Sequence, residues 1–350
     1  MASERFGYDD SSRMRDKLDR KARVLGLDLN NVDSMAVLGS GLGHFVEDHM
    51  EPGAAELSFA DAYEGMGGVE LLGDVKGHDR KLVVGPLKGE DQSHLVLVQS
   101  GREHPYEGIS TRRATFWLRV AQLMGVKNLI GSNASGILTP DTLRLKDLML
   151  LDGDIDLGGD NPLIGHNDEQ LGPRFPHRGD YYPADARRSV RTVAQRLGID
   201  LKEGTYVRVK GPNYESADDV RRFRREVSEM WKDGAVDGDE RYFDGHKDLP
   251  KSPIATVGMS STFENMVAQH ASQSEAHKAF LRRAWISVAT NYAALLGAPP
   301  SDSNEILDHG HVKAVAEQVR VEFGNLVKGT LLEFREADWD QHLRGPIANW

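Results

Sequence analysis

Apolar residues recur along this chain in two rhythms. Residues 10–25 are charged but carry Met14, Leu18 and Val24 at helical spacing, which predicts a helix with one side turned inward. Short apolar or alternating runs at Ser34–Leu38, Lys81–Val84, His94–Val98, Asn128–Gly131, Leu148–Leu151, Thr205–Val209, Ile254–Val257 and Trp285–Ala289 predict strands. Between several of them lie helical patterns, at Arg112–Met124, Ala184–Leu197, Ala217–Met230, Thr262–Arg282 and Asp308–Arg335. Strands alternating with helices predict an α/β fold, with a central mixed or largely parallel β-sheet surrounded by helices. No linker rich in Pro, Ser or Gly divides the chain, so residues 1–350 read as one domain. Residues 227–253 are polar, acidic and punctuated by glycine, and read as a surface insertion. Within them Asp233, Asp237, Gly238 and Asp244 follow the spacing of a calcium loop, but Ala235 and a final Asp break it. A solvated loop is expected there, and no metal.

Composition narrows the chemistry. The 350 residues include no cysteine, which excludes disulfides, a thiol nucleophile, iron–sulfur clusters and Cys-ligated zinc, and suits a cytoplasmic protein. The polar N-terminal stretch reads as no signal peptide, and no apolar run is long enough for a membrane span. With 43 basic against 54 acidic residues the net charge is −11, so the chain lacks the basic footprint of nucleic-acid binding. Any anionic ligand must be met by cationic groups gathered locally.

Six segments offer such groups at the ends of predicted strands, where open α/β sheets bind ligands. Gly39-Ser40-Gly41-Leu42-Gly43 is a turn whose backbone N–H groups and Ser40 hydroxyl suit a small anion. Its spacing is GxGxG, and the acidic partner of a dinucleotide fingerprint is missing, which argues against a nicotinamide-dependent oxidoreductase. Gly101–Gly108 (GREHPYEG) combines the guanidinium fork of Arg102 with His104, and Glu107 can orient that imidazole and set its charge. Asn133-Ala134-Ser135-Gly136 is small enough for close approach, and Gly211–Glu215 sets an aromatic, Tyr214, beside the Glu215 carboxylate. Val257–Ser260 ends in the Met259 thioether and the Ser260 hydroxyl, and Ser287–Asn291 ends in an amide that both donates and accepts.

In this order the six segments resemble the trimeric class of purine nucleoside phosphorylases. Asp156-Leu157, Asn161–Gly165, Asn167–Glu169, Arg174-Phe175-Pro176 and Glu203–Tyr206 extend the resemblance, which runs from about Met35 to Asn291. It implies a nucleoside phosphorylase-like fold and phosphorolysis of a purine ribonucleoside to free base and ribose 1-phosphate, with phosphate as co-substrate and no cofactor. By position, Ser40, Arg102, His104, Ser260 and the Asn133–Ala134 backbone would hold phosphate. Glu107 would steady His104, Tyr106 and Met259 would border the ribose, and Tyr214, Glu215 and Asn291 would grip the purine. His104, Glu215 and Asn291 carry the expected catalysis. Phe175 would be lent to a neighbouring copy in a homotrimer, and His309, in competition with His311, would meet the ribose 5′-hydroxyl. Asn at position 291 goes with inosine and guanosine, whereas Asp there marks relatives acting on methylthioadenosine. The alternatives are thus a methylthioadenosine phosphorylase and a non-catalytic nucleoside-binding homologue. Departures from the family pattern are Ile137 in place of a glycine, Ser135 for a common Ala, Tyr214 for Phe, residues 177–183, the insertion, and Pro299-Pro300 after Asn291.

Overall fold

A computed structural model describes residues 6–39, 41–64, 66, 69, 79–179, 181–237, 253–299 and 309–336. Nine strands form its sheet: β1 (Val32–Leu38), β2 (Ala55–Ser58), β3 (Lys81–Gly85), β4 (Leu95–Ser100), β5 (Asn128–Ile137), β6 (Leu148–Asp156), β7 (Lys202–Arg208), β8 (Ala255–Gly258) and β9 (Arg282–Tyr292). Their order is β2-β3-β4-β1-β5-β8-β7-β6-β9, and β9 also pairs with β5. Strands β5, β8, β7, β6 and β9 therefore close on one another, while β1, β4, β3 and β2 extend from β5 as an open wing. Parallel pairs (β1–β4, β1–β5, β5–β9, β6–β7, β7–β8) mix with antiparallel ones (β2–β3, β3–β4, β5–β8, β6–β9). The expected α/β fold with a mixed central sheet is the one observed.

Helices cover both faces, because strands apolar on both sides must be buried on both sides. Helices α1 (Tyr8–Val24), α2 (Phe45–His49), α3 (Phe59–Tyr63), α4 (Thr111–Ala114), α5 (Phe116–Leu123), α6 (Ala184–Leu197), α7 (Ala217–Asp237), α8 (Thr262–Ser272), α9 (His309–Gln318) and α10 (Arg320–Glu336) complete the described elements. Met14, Leu18 and Ala22 of α1 pack in one apolar cluster with Phe116, Trp117 and Val120 of α5; Val190 of α6 and Leu326 and Leu331 of α10 pack in another. Glycine matters where β5 and β9 lie side by side. A side chain on Gly131 would strike the Trp285 indole, which is 1% exposed.

Several boundaries differ from the sequence expectation, each for a local reason. Val24 is 85% exposed, and Ala22 takes the inward place. The expected helix at 112–124 is broken at Thr115, whose hydroxyl bonds back to the Thr111 carbonyl at 2.8 Å and competes with the helical ladder. The pattern at 262–282 stops at Ser272, and Arg282 already belongs to β9; that at 308–335 divides at Val319. Asn133–Gly136 is not at a strand end but inside β5, which stays paired with β9 to Ile137, and Asn291 likewise lies inside β9. The insertion expected at 227–253 begins as helix: α7 continues to Asp237, with Val227 buried. Residues 238–252, and with them the calcium-like spacing after Asp237, lie outside the described residues. Among them no helix is long and apolar enough to cross a membrane.

Candidate active site

The ends of these strands meet around a cavity of about 500 Å³. Strand β4 stops at Ser100, Gly101 turns the chain at φ 83°, and the next residues alternate between two destinations. Arg102, His104 and Tyr106 line the cavity. Glu103 points into the core instead, where it accepts hydrogen bonds from Tyr63 Oη at 2.8 Å and Arg113 Nε at 3.1 Å. Glu107 closes a single turn, Pro105–Glu107, by accepting from the His104 backbone N–H at 2.7 Å.

Arg102 is 2% exposed and does not stand alone. Its Nε donates to Glu264 Oε1 at 2.8 Å and its Nη2 to Glu264 Oε2 at 3.2 Å, while Nη2 also reaches the Ser132 carbonyl. Gly39 permits this approach, since a side chain there would lie 3.0 Å from Asn133 Cα and 3.2 Å from Arg102 Nη1. His104 stacks on Tyr106 at 4.7 Å, and its Nδ1 lies 3.5 Å from Glu107 Oε1. Burial, aided by the positive charge of Arg102, holds the imidazole below its ordinary pKa, against the opposing pull of Glu107. For Glu107, burial acts upward, but hydrogen bonds from His104 and the charge of Arg80 outweigh it and keep the carboxyl below its usual range. Burial pushes the Tyr106 phenol up to about 12, so it stays neutral.

The rest of the cavity wall is built by β8, β9 and the segment after β7. Ser260 follows β8, and its N–H donates to Tyr206 Oη at 3.2 Å; a side chain on Gly258 would collide with that hydroxyl. Met259 lies against Gly211, which has φ 70° and so accommodates it only as glycine. Glu215 and the 41%-exposed Tyr214 complete this wall. Burial raises the Glu215 carboxyl above its ordinary pKa, and Asp219 adds to the effect. Asn291 Oδ1 accepts from Thr290 Oγ1 at 3.1 Å, which leaves its amide N–H₂ as the group to offer a ligand.

Of the residues singled out in the sequence, Arg102, His104, Tyr106, Ala134, Tyr214, Glu215, Met259, Ser260 and Asn291 share this cavity. Asn133 does not line it; its amide is held by Ser261 at 2.8 Å and Ser287 at 2.7 Å, tying β5 to β9 and to the start of α8. Phe175 is remote from it, 88% exposed beside Ile164 (67%) at a separate recess of about 320 Å³. Ser40 and the His309 side chain lie outside the described residues, although Val312, on the helix that His309 begins, reaches the cavity. Among the described residues no group of three or more His, Asp or Glu could hold a metal ion.

Residues 67–331 match the phosphorylase superfamily. The chain belongs to that family. Among relatives of this phosphorylase-superfamily chain, purine nucleoside phosphorylase 1 of Bacillus subtilis (strain 168) is 31% identical over 322 residues, covering 92% of this chain and 100% of the relative. The mouse (Mus musculus) purine nucleoside phosphorylase is 41% identical over 152 residues, 42% of this chain and 51% of its own. Two crystal structures, one of Schistosoma mansoni and one of schistosoma purine nucleoside phosphorylase, share the fold. The complex with adenosine superposes with a TM-score of 0.68 at 24% identity, covering 93% of this chain and 98% of that one. The complex with hypoxanthine gives 0.69 at 23%, covering 94% and 98%.

Two residues that bond the groups around the cavity escaped the sequence reading. Glu264, 2% exposed in the first turn of α8, sits among residues that read as an ordinary helix. Arg80, 8% exposed, bonds the Glu107 carboxylate from the segment leading into β3. Neither carries a motif; a buried charge is signalled only by the partner it meets in three dimensions.

Proposed function

We infer that this chain is an enzyme that phosphorolyses purine nucleosides, transferring the pentosyl group to inorganic phosphate. The observation that carries the reading is one cavity with donors for an anion at one end (Arg102, His104, Ser260) and a carboxylate and an amide at the other (Glu215, Asn291). Arg102, His104, Ser260, Ser40 and the Asn133–Ala134 backbone are the phosphate ligands of this reading. Tyr106 and Met259 border the ribose, with His309, or His311 in its place, at the 5′-hydroxyl. Tyr214 covers the purine.

Cleavage builds positive charge on the ribose and negative charge on the departing purine. Phosphate held beneath the sugar acts as nucleophile and countercharge, so positioning supplies a large share of the rate. Hydrogen bonds from the Asn291 amide to N7, and between Glu215 and N1–H, strengthen as the purine gains charge, and so act on the transition state more than on the bound substrate. His104 is the donor whose charge can follow that of phosphate.

Asn291 also bears on substrate. With Oδ1 engaged by Thr290, its N–H₂ suits a 6-oxopurine, so inosine and guanosine are the preferred nucleosides. Phe175 and Ile164, exposed side by side, suit a homotrimer in which Phe175 reaches a neighbouring site, and a cytoplasmic location accompanies this reading. The deciding assay is phosphate-dependent release of hypoxanthine from inosine, run beside adenosine and methylthioadenosine. A higher specificity constant for methylthioadenosine than for inosine reverses the substrate assignment, and no turnover of any of the three favours a non-catalytic binder.

A further inference from the structure

Arg80 combines three features that ordinary packing does not require. It is an arginine at φ 48°, in the left-handed region that side chains other than Gly, Asn and Asp rarely adopt. It is 8% exposed, although its sequence position just before β3 would allow it to reach solvent. Its guanidinium is spent on Glu107, the carboxylate that holds His104. Such a conformation persists only where the surroundings fix it, and they do. The Arg80 carbonyl accepts from the Phe59 N–H at 2.8 Å, and the preceding Asp79 accepts from Ser100 Oγ at 3.2 Å at the end of β4. The segment is thus tied to the start of α3 and to the end of β4, and its arginine is aimed inward.

We propose that Arg80 is a positioning residue for His104: it anchors Glu107 so that this carboxylate fixes both the backbone and the ring of His104, and it offsets the charge the carboxylate would otherwise present to the ring. The proposal deepens the phosphorolysis reading and rests on it for the role of His104. The geometry is a relay of three. One oxygen of Glu107 takes the His104 backbone N–H at 2.7 Å and lies 3.5 Å from Nδ1, while the other takes Arg80. Without Arg80 that second oxygen would keep its full negative charge half-buried beside the imidazole, which favours imidazolium. The other charged groups facing His104 are Arg102, which opposes its protonation, and Glu264, which favours it but is engaged by Arg102. Tyr106, stacked on the ring, is neutral. Arg80 thus acts on His104 through Glu107 and, like Glu107 and Glu264, does not line the cavity.

Glycine accepts φ 48° without strain, so Arg80→Gly removes the guanidinium and spares the backbone; Arg80→Asn tolerates the same φ and serves as a second version. In NMR titration of the ligand-free protein, with the His104 resonance assigned by its loss in His104→Gln, both variants should raise the His104 midpoint by about one pH unit. In the kinetic assay the loss of a fixed His104 ring should outweigh its added charge and raise KM for phosphate about tenfold, while KM for inosine stays within about twofold. Arg80→Lys, which keeps a cation, should restore most of both. An unchanged His104 midpoint in folded Arg80→Gly and Arg80→Asn overturns the proposal. So does a KM increase of equal size for both substrates. If the chain turns over no nucleoside, the phosphorolysis reading fails by itself, whereas the NMR titration still decides what Arg80 does to His104.

Discussion

At one end of the cavity Arg102 is 2% exposed and held by two hydrogen bonds to an equally buried carboxylate, Glu264. At the other, Glu215 is half-buried, and among the described residues no cation is paired with it. The two carboxylates answer burial differently. Glu264 is offset by a guanidinium in fork geometry, the strong form of a charge-assisted contact. Burial leaves Glu215 with a raised pKa. The Arg102 end thus carries a buried charge compensated in the fold, whereas among the described residues the Glu215 carboxylate has no cation to offset it.

That contrast breaks most visibly at Arg102. Arg102→Met removes the main cation of the proposed phosphate site and leaves Glu264 buried without its partner. Loss of one member of a buried pair costs about 3–5 kcal/mol. Phosphorolysis should disappear, and the melting temperature should fall by many degrees in calorimetry. Glu215→Ala should separate the two effects. Turnover should drop by about 10²–10³ or more, as when a transition-state hydrogen bond is removed. The melting temperature should stay close to wild type, because no ion pair depends on this residue. A large loss of stability in Glu215→Ala, or an Arg102→Met protein as stable as wild type, would erase the distinction between the two ends. A smaller effect is expected from Asn291→Asp. The ratio of specificity constants for adenosine over inosine should rise by at least about tenfold, roughly 1.4 kcal/mol, as the offered amide N–H₂ becomes an acceptor. An unchanged ratio would take Asn291 out of substrate selection.

How much of this was legible in the chain depends on how local the signal is. Arg102, His104 and Tyr106 stand within one glycine-bounded segment after an apolar run, Ser260 closely follows β8, and Glu215 stands in the short segment after β7, so pattern alone brings them to one cavity at the strand ends. The extent of β5 was not readable in the same way. Asn133, Ala134, Ser135 and Gly136 have little strand propensity, and they stay extended because β9 pairs with them throughout. Closure of β5 through β9 depends on partners far apart in sequence, which periodicity cannot encode. Glu264 lies 162 residues from Arg102, and only their meeting makes either one comprehensible. Arg80 was hidden for a further reason: a left-handed arginine is the opposite of what sequence preferences lead one to expect.

The finest test of the comparison uses acid. Burial raises Glu215 above its usual 4.5 and lowers His104 below its usual 6.5, so the folded protein binds a proton more tightly at the first and less tightly at the second. Linkage then gives opposite signs. Ionised Glu215 detracts from stability at neutral pH, and that penalty is relieved as pH falls through its raised folded value toward 4.5. Neutral His104 contributes stability that is complete above 6.5 and is lost as pH falls through its lowered folded value. Melting temperatures of wild type, Glu215→Gln and His104→Gln between pH 7.5 and 4.5 should show this directly. Relative to wild type, Glu215→Gln should start ahead and lose its advantage on acidification, whereas His104→Gln should gain ground over the same range. In activity, the acidic limb of the rate profile should lie above 4.5, because an ionised Glu215 must accept the purine N1–H. Parallel melting curves for all three proteins would mean that the two ends do not differ in how burial treats their charge.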